Sequence, residues 1–264
     1  MNNQLSKKYI YFYILLGFIL HIIAVNFSIG FYNDDEHFQI LEPVAHLMGL
    51  NIMLTSEIYD PTVFNSDGTI DVLRWKYWEW KESIRIRPWL QPYIYFYFIN
   101  IFKFLNITNP FTWTLLIKLF SSIFGYISIV YLFFSTKNDF FKKNNHFNYL
   151  LFFSFWFYPF LHSRTSSENL SFSFFLIGFC FLYNLFKNRE IKFNYFLLLC
   201  YSFCLGLSLV IRFNLIFVLF PFLLWVIIIK FDFKKITVLG LGLVLSLSFG
   251  LYIDSLYWDK FAFT

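Results

Sequence analysis

YIYFYILLGFILHIIAVNFSIGFY (Tyr9–Tyr32), followed at once by NDDEHFQ (Asn33–Gln39), decides the fold. The first string is long enough to cross a bilayer as a helix, which takes about 20 mostly apolar residues. Lys7 and Lys8 precede it, which places the N-terminus in the cytoplasm and the next segment outside. No small-residue cleavage motif follows, so the run reads as a retained anchor rather than a removed signal peptide. The second string sets Asp34, Asp35 and Glu36 at the mouth of that helix. Charge is costly there unless it serves something. A carboxylate at that depth can meet both a lipid-carried substrate and a water-borne one.

Composition agrees. The chain is 58% hydrophobic, 25% aromatic and only 14% charged, with a mean hydropathy of +0.58. Soluble domains carry about 25% charged residues, and 41 Phe in 264 residues would be hard to bury in one. The expected fold is therefore all-α, a polytopic membrane protein. Lipid leaves no alternative to helices except a closed barrel, because backbone polar groups must be satisfied internally. Cys180, Cys200 and Cys204 lie in apolar runs; Cys200 and Cys204 share a helix face at i,i+4 but have no further His or Cys nearby, so all three read as small buried hydrophobes. The net charge of +5 is spread over short loops. It reads as a set of topology determinants, not a nucleic-acid surface.

Further apolar runs lie at Trp89–Leu105, Phe111–Phe134, Phe147–Leu161, Leu170–Phe186, Phe193–Ile211, Leu215–Ile229 and Ile236–Ile253, giving about 7–8 helices in all. Pro110, Pro159 and Pro221 are expected at or near segment ends. Residues 33–88 form the only long polar stretch, a first extracytoplasmic loop holding 10 of the 16 acidic residues. Within it Gln39–Leu54 reads as a short amphipathic helix, and Trp75–Trp80 as an aromatic cluster suited to the headgroup layer. Lys137, Lys142 and Lys143, then Lys187, Arg189 and Lys192, then Lys230, Lys234 and Lys235 recur in every second loop. They are expected on one face, the cytoplasmic one. Arg164–Asn169, Arg212–Asn214 and Asp254 then share the other face with the acidic motif. Simple counting conflicts with this at one place, which is resolved if Trp89–Leu105 is interfacial or re-entrant.

The outer polar residues are Asp34, Asp35, Glu36, Gln39, Glu42, His46, Glu79, Arg87, Arg164, Glu168, Asn169, Arg212 and Asn214. A metal hydrolase would want His or Cys at ligand spacing, and only His37 and His46 lie near. A serine nucleophile would want a base and a shaped turn. Carboxylates with arginines suit transfer from an anionic phosphate donor: the carboxylate takes a proton from an acceptor hydroxyl, and an arginine holds the departing phosphate. Each piece has a plainer reading. Asp34 and Glu36 can be solvated loop acids. Gln39, Glu42 and His46 can be the polar side of a helix. Trp75, Trp78 and Trp80 can be interfacial anchors, and Arg164 and Arg212 topology charges. Arg212 between two apolar runs is expensive without a partner.

The order Asp35-Glu36-x-x-Gln39, Leu41-Glu42 and His46, then Trp78-Glu79-Trp80, then Ile86-Arg87-Pro88-Trp89-Leu90-x-Pro92 resembles the mannosyltransferases of glycosyltransferase family 22. These are GT-C membrane enzymes that build lipid-linked N-glycan precursors and GPI anchors. Ser163–Asn169, Arg212-Phe213-Asn214 and Asp254-Ser255-x-Tyr257 resemble later family segments, in the right order. The resemblance implies one GT-C-type transmembrane domain over residues 1–264. It implies a polyprenyl- or dolichyl-phosphate mannose donor, a glycan or glycolipid acceptor, inversion at the anomeric carbon, and no cofactor. Asp35 becomes the general base with Glu36 its neighbour. Gln39, Glu42, His46, Trp78, Glu79, Trp80, Arg87, Arg164, Glu168, Asn169, Arg212 and Asn214 become the substrate-binding set.

There are departures from the family pattern. Pro88 replaces the usual Ser, Tyr77 the usual Thr, and residues 59–75 read as an insertion. The chain also stops at Thr264 where relatives continue with further helices, so it reads as an amino-terminal portion. The composition points to a bacterial inner membrane with the site on the periplasmic face, or the lumenal face of the ER membrane in a eukaryote. Two other readings stay open: an inactive truncated family member, and a transporter or flippase whose intramembrane charges bind substrate.

Overall fold

A computed structural model describes residues 2–28, 40–49, 88–140, 146–187, 194–229 and 232–258. Among these residues all regular structure is helical. The order is α1 (Asn2–Phe27), α2 (Glu42–Leu47), α3 (Leu90–Phe104), α4 (Pro110–Phe140), α5 (His146–Ser154), α6 (Phe157–His162), α7 (Ser167–Lys187), α8 (Tyr195–Ile211), a 3-10 turn (Phe213–Leu215), α9 (Ile216–Ile229) and α10 (Phe233–Trp258). Among the described residues four helical stretches are long and apolar enough to cross a membrane: Tyr9–Phe27, Pro110–Lys137, Ser167–Leu185 and Phe233–Tyr257. Tyr195–Ile211 and Phe213–Ile228 are shorter apolar helices.

Four expectations change. Phe147–Leu161 is not one helix but α5 and α6, parted at Phe155 and Trp156. Pro159 has no N–H to give the Phe155 carbonyl, and the Tyr158 N–H takes that carbonyl instead at 3.1 Å. The sequence carried this breaker inside the run. Pro221 lies well inside α9, not at its end. Of the helix expected over Gln39–Leu54, residues 40–49 are described, and among these it is α-helical over Glu42–Leu47. It stops at Gly49, whose φ of +73° only glycine adopts readily, and whose N–H closes onto the His46 carbonyl. Cys180 is buried as expected, but Cys200 is exposed and Cys204 only half-buried.

The chain divides into two compact units, residues 1–30 with 110–247, and residues 31–109 with 248–264. In the first unit, α4 and α7 run parallel: Phe124 meets Phe174, and ten to eleven residues further along both helices the Asn184 amide donates to the Ser135 hydroxyl at 2.9 Å. α7 and α8 form an antiparallel hairpin, with Phe181 stacked on Tyr201 at 4.0 Å and Gly178 against Leu205. Asn194 caps α8 by accepting from the Phe196 and Leu197 N–H groups.

α8 packs parallel to α10 through a reciprocal small-residue pair. A Cβ on Gly206 would strike the Ser246 side chain, and one on Gly242 would strike Ser202. Helices in lipid gain nothing from hydrophobic exclusion against each other, so close van der Waals approach at small residues is what holds them. Around this seam Ile129, Phe175, Leu176, Leu182, Leu198, Leu205, Leu219 and Leu239 form one core. A second aromatic core of Tyr126, Phe133, Tyr149 and Phe153 seats α1 through Tyr13 and Ile14.

These pairings put the C-terminal ends of α4, α7 and α9 with the N-terminal ends of α8 and α10, as the loop lysines predict. α1 runs opposite to α4: the Tyr126 hydroxyl donates to the Ile14 carbonyl, and the Lys118 ammonium to the Ser28 carbonyl at 2.8 Å. The second unit contains α2, α3 and the last turns of α10. α3, at 15 residues, is about 22 Å long, short of the roughly 30 Å of a hydrocarbon core.

Candidate active site

At one end of the first unit, the start of α7 meets the end of α8. Arg164, Glu168, Asn169 and Arg212 all belong to this end. The Asn169 side-chain amide donates to the carbonyls of His162 at 3.1 Å and Arg164 at 3.0 Å, which fixes the turn between α6 and α7. The Ser166 hydroxyl accepts from the Asn169 N–H at 3.4 Å. Ser163, Arg164 and Thr165 are buried in this turn, and the Arg164 guanidinium lies 5.0 Å from the Phe160 ring centroid.

Arg212 forms a salt bridge with Glu168. That is the partner an arginine between two apolar runs requires. Its backbone is extended (φ −145°, ψ 97°), which ends α8 and turns the chain toward the 3-10 turn that carries exposed Asn214. Glu168 in the first turn of α7 and Arg212 just past the end of α8 both sit where the helix dipoles favour their charges. The guanidinium has five N–H donors, and one carboxylate leaves donors to spare for a phosphate.

Two features behind this turn were missed in the sequence, and only the second left a signal there. His21 on α1 and His162 at the end of α6 are both buried and lie 3.0 Å apart, Nε2 to Nδ1. The Nδ1 of His21 faces the Gly17 carbonyl at 2.7 Å and so carries a proton. With the His21 ring neutral, its Nε2 is the acceptor and the Nδ1–H of His162 the donor. His162 also lies so close to Gly125 that a Cβ there would collide with the ring. Lys118 is buried on α4 with its ammonium on the Ser28 carbonyl, at the same end of the unit. A lone lysine in an apolar run is the signal that could have found it.

In the second unit, His46, Trp89, Asp254 and Tyr257 come together. Asp254, 2% exposed, accepts from the Trp89 N–H at 2.7 Å. Trp89 is fully buried, and its ring stacks on Tyr257 at 3.6 Å. The Tyr257 hydroxyl and His46 Nε2 lie 3.3 Å apart. Burial holds the His46 imidazole below its ordinary pKa. Asp254 thus supplies to α3 a cap that the Trp89 side chain does not.

Of the other expected site residues, Glu42 opens α2. Asp35, Glu36, Gln39, Trp78, Glu79, Trp80 and Arg87 lie outside the described residues.

Apolar helices long enough to cross a bilayer, with a buried arginine turn and an Arg–Glu pair at one end of the first unit and a buried carboxylate–aromatic cluster in the second, make this an integral membrane protein. The model of the Alg9-like mannosyltransferase family matches residues 74–264, and the chain belongs to that family. It is by family a membrane glycosyltransferase. The match covers Trp78-Glu79-Trp80, Arg87, the Ser163–Asn169 turn, Arg212 and Asp254, and begins downstream of the acidic motif at Asp34–Glu36. No curated protein and no solved structure matches the chain.

Proposed function

We propose that the protein transfers a mannosyl residue from a polyprenyl-phosphate mannose, or its dolichyl counterpart, to a glycan hydroxyl on the outer face of the membrane. The reaction forms a bond from the acceptor oxygen to the anomeric carbon and breaks the bond from that carbon to the donor phosphate. Attack from the face opposite the phosphate inverts the configuration. The acceptor proton passes to the carboxylate of Asp35, and the lipid phosphate leaves with increased negative charge.

The observation that carries this reading is the pairing of Arg212 with Glu168 beside the buried Arg164 turn, in a chain whose family transfers mannose. Fixed guanidinium groups stabilise a departing phosphate without reorganising, usually the largest single term in catalysis. Gln39, Glu42, His46, Trp78, Glu79, Trp80, Asn169 and Asn214 complete the sugar- and acceptor-binding set in this reading.

Membranes containing the chain, incubated with radiolabelled polyprenyl-phosphate mannose and a panel of glycan acceptors, test it. Label should pass to one acceptor class, and Arg212→Ala should abolish the transfer. Label accumulating inside proteoliposomes, with none on acceptor, would instead mean transport.

A further inference from the structure

The basic end of the first unit carries a groove that the glycosyl-transfer reading does not use. It lies between the end of α7 (Leu185), the start of α8 (Leu198), the end of α9 (Val226) and the start of α10 (Lys235, Leu239, Gly240), with a volume of about 220 Å³. Leu185 is seventeen residues along α7 from Glu168, so about 25 Å of helix separates the groove from the Arg212 pair.

Gly240 marks the groove as a space kept open. A Cβ there would meet nothing within 4 Å, whereas Gly206 and Gly242 on the same seam are small because serine side chains fill the room beside them. Glycine inside a helix is unfavourable unless something needs the space it frees. At membrane depth only hydrocarbon or another helix can fill such a space.

Charge at the mouth selects between these. Lys235 lines the groove and Lys234 is exposed beside it. Asp232 pairs with Lys235 at 3.2 Å, which leaves one net positive charge among the three. Basic crevices between helices at the cytoplasmic surface hold anionic headgroups.

We propose that this groove seats one acyl chain of an anionic phospholipid, with the headgroup phosphate at Lys235 and Lys234. The site does not depend on the reaction at the other end of the bundle.

Native mass spectrometry of the full chain, purified in detergent and given equimolar phosphatidylglycerol and phosphatidylcholine, tests it. One phosphatidylglycerol should be retained, with a preference of about fivefold, the worth of one net positive charge at a membrane surface. Gly240→Leu should fill the groove and remove the retained lipid, while the variant stays monodisperse by size exclusion. Lys234→Gln with Lys235→Gln lies at the surface and should leave the fold intact, losing only the preference for phosphatidylglycerol. Equal retention of the two lipids by the unaltered chain overturns the proposal. So does undiminished retention in folded Gly240→Leu. If that variant does not fold, an unchanged preference in the double lysine variant overturns it instead.

Discussion

The carboxylate of Asp254 accepts a hydrogen bond of 2.7 Å from the backbone N–H of Trp89, and one turn further along α10 the ring of Tyr257 stacks on the same tryptophan. Two residues of one helix face thus grip a segment 165 residues away in the sequence. Both groups of the hydrogen bond are buried, so its loss leaves a donor that water cannot reach. Asp254→Ala should therefore destabilise the protein by about 1–3 kcal/mol. Asp254→Asn keeps an acceptor oxygen and should recover most of that. Thermal unfolding in detergent, followed by circular dichroism, measures both.

The Arg212–Glu168 pair separates stability from activity. Both side chains are partly exposed, and such pairs contribute roughly 0–1 kcal/mol. Arg212→Ala should leave the melting temperature nearly unchanged while lowering transfer by about 100-fold or more, the loss expected for a donor aimed at developing charge. Arg212→Lys keeps the charge but not the fork and should restore little. A large drop in melting temperature with transfer intact would make the pair structural.

The α8–α10 seam predicts two glycines with opposite tolerance. Gly242→Leu forces α10 off Ser202, and overpacking of this kind costs about 1–3 kcal/mol. Gly240→Ala, on the opposite face of α10, adds a methyl to open space and should be neutral or slightly stabilising through helix propensity. Monodispersity and melting temperature of the two variants check the contrast.

His46 predicts an acid-side loss of stability. Burial lowers its pKa below the ordinary value of 6.5. The unfolded chain then binds the proton more readily, so the contribution of His46 is fully present above 6.5 and is lost as pH falls from there through the lower folded pKa. The melting temperature should fall on acidification from about pH 7.5 to 5, where an unperturbed histidine would titrate. His46→Phe, which keeps a ring against Tyr257, should flatten that part of the slope.

Much of this architecture was legible in the sequence because lipid constrains it strongly. The runs at Leu170–Phe186, Phe193–Ile211 and Ile236–Ile253 form helices, each within a few residues of where hydropathy ended them. Arg164, Glu168 and Arg212 stood out because charges in apolar surroundings need partners, and two of them partner each other. What escaped was tertiary. The Asp254–Trp89 tie, the Lys118–Ser28 contact and the His21–His162 pair join residues far apart in the chain, and no local pattern announces them. Phe147–Leu161 misled because its hydropathy outweighed Pro159, although the proline was in plain view.

Transfer of radiolabelled mannose from polyprenyl-phosphate mannose by Asp35→Asn membranes bears most directly on the central claim. The variant should insert and fold as the unaltered chain does, and transfer should fall by about 100-fold or more, the scale of a lost general base. Transfer at the unaltered rate from a correctly inserted Asp35→Asn protein would contradict the account.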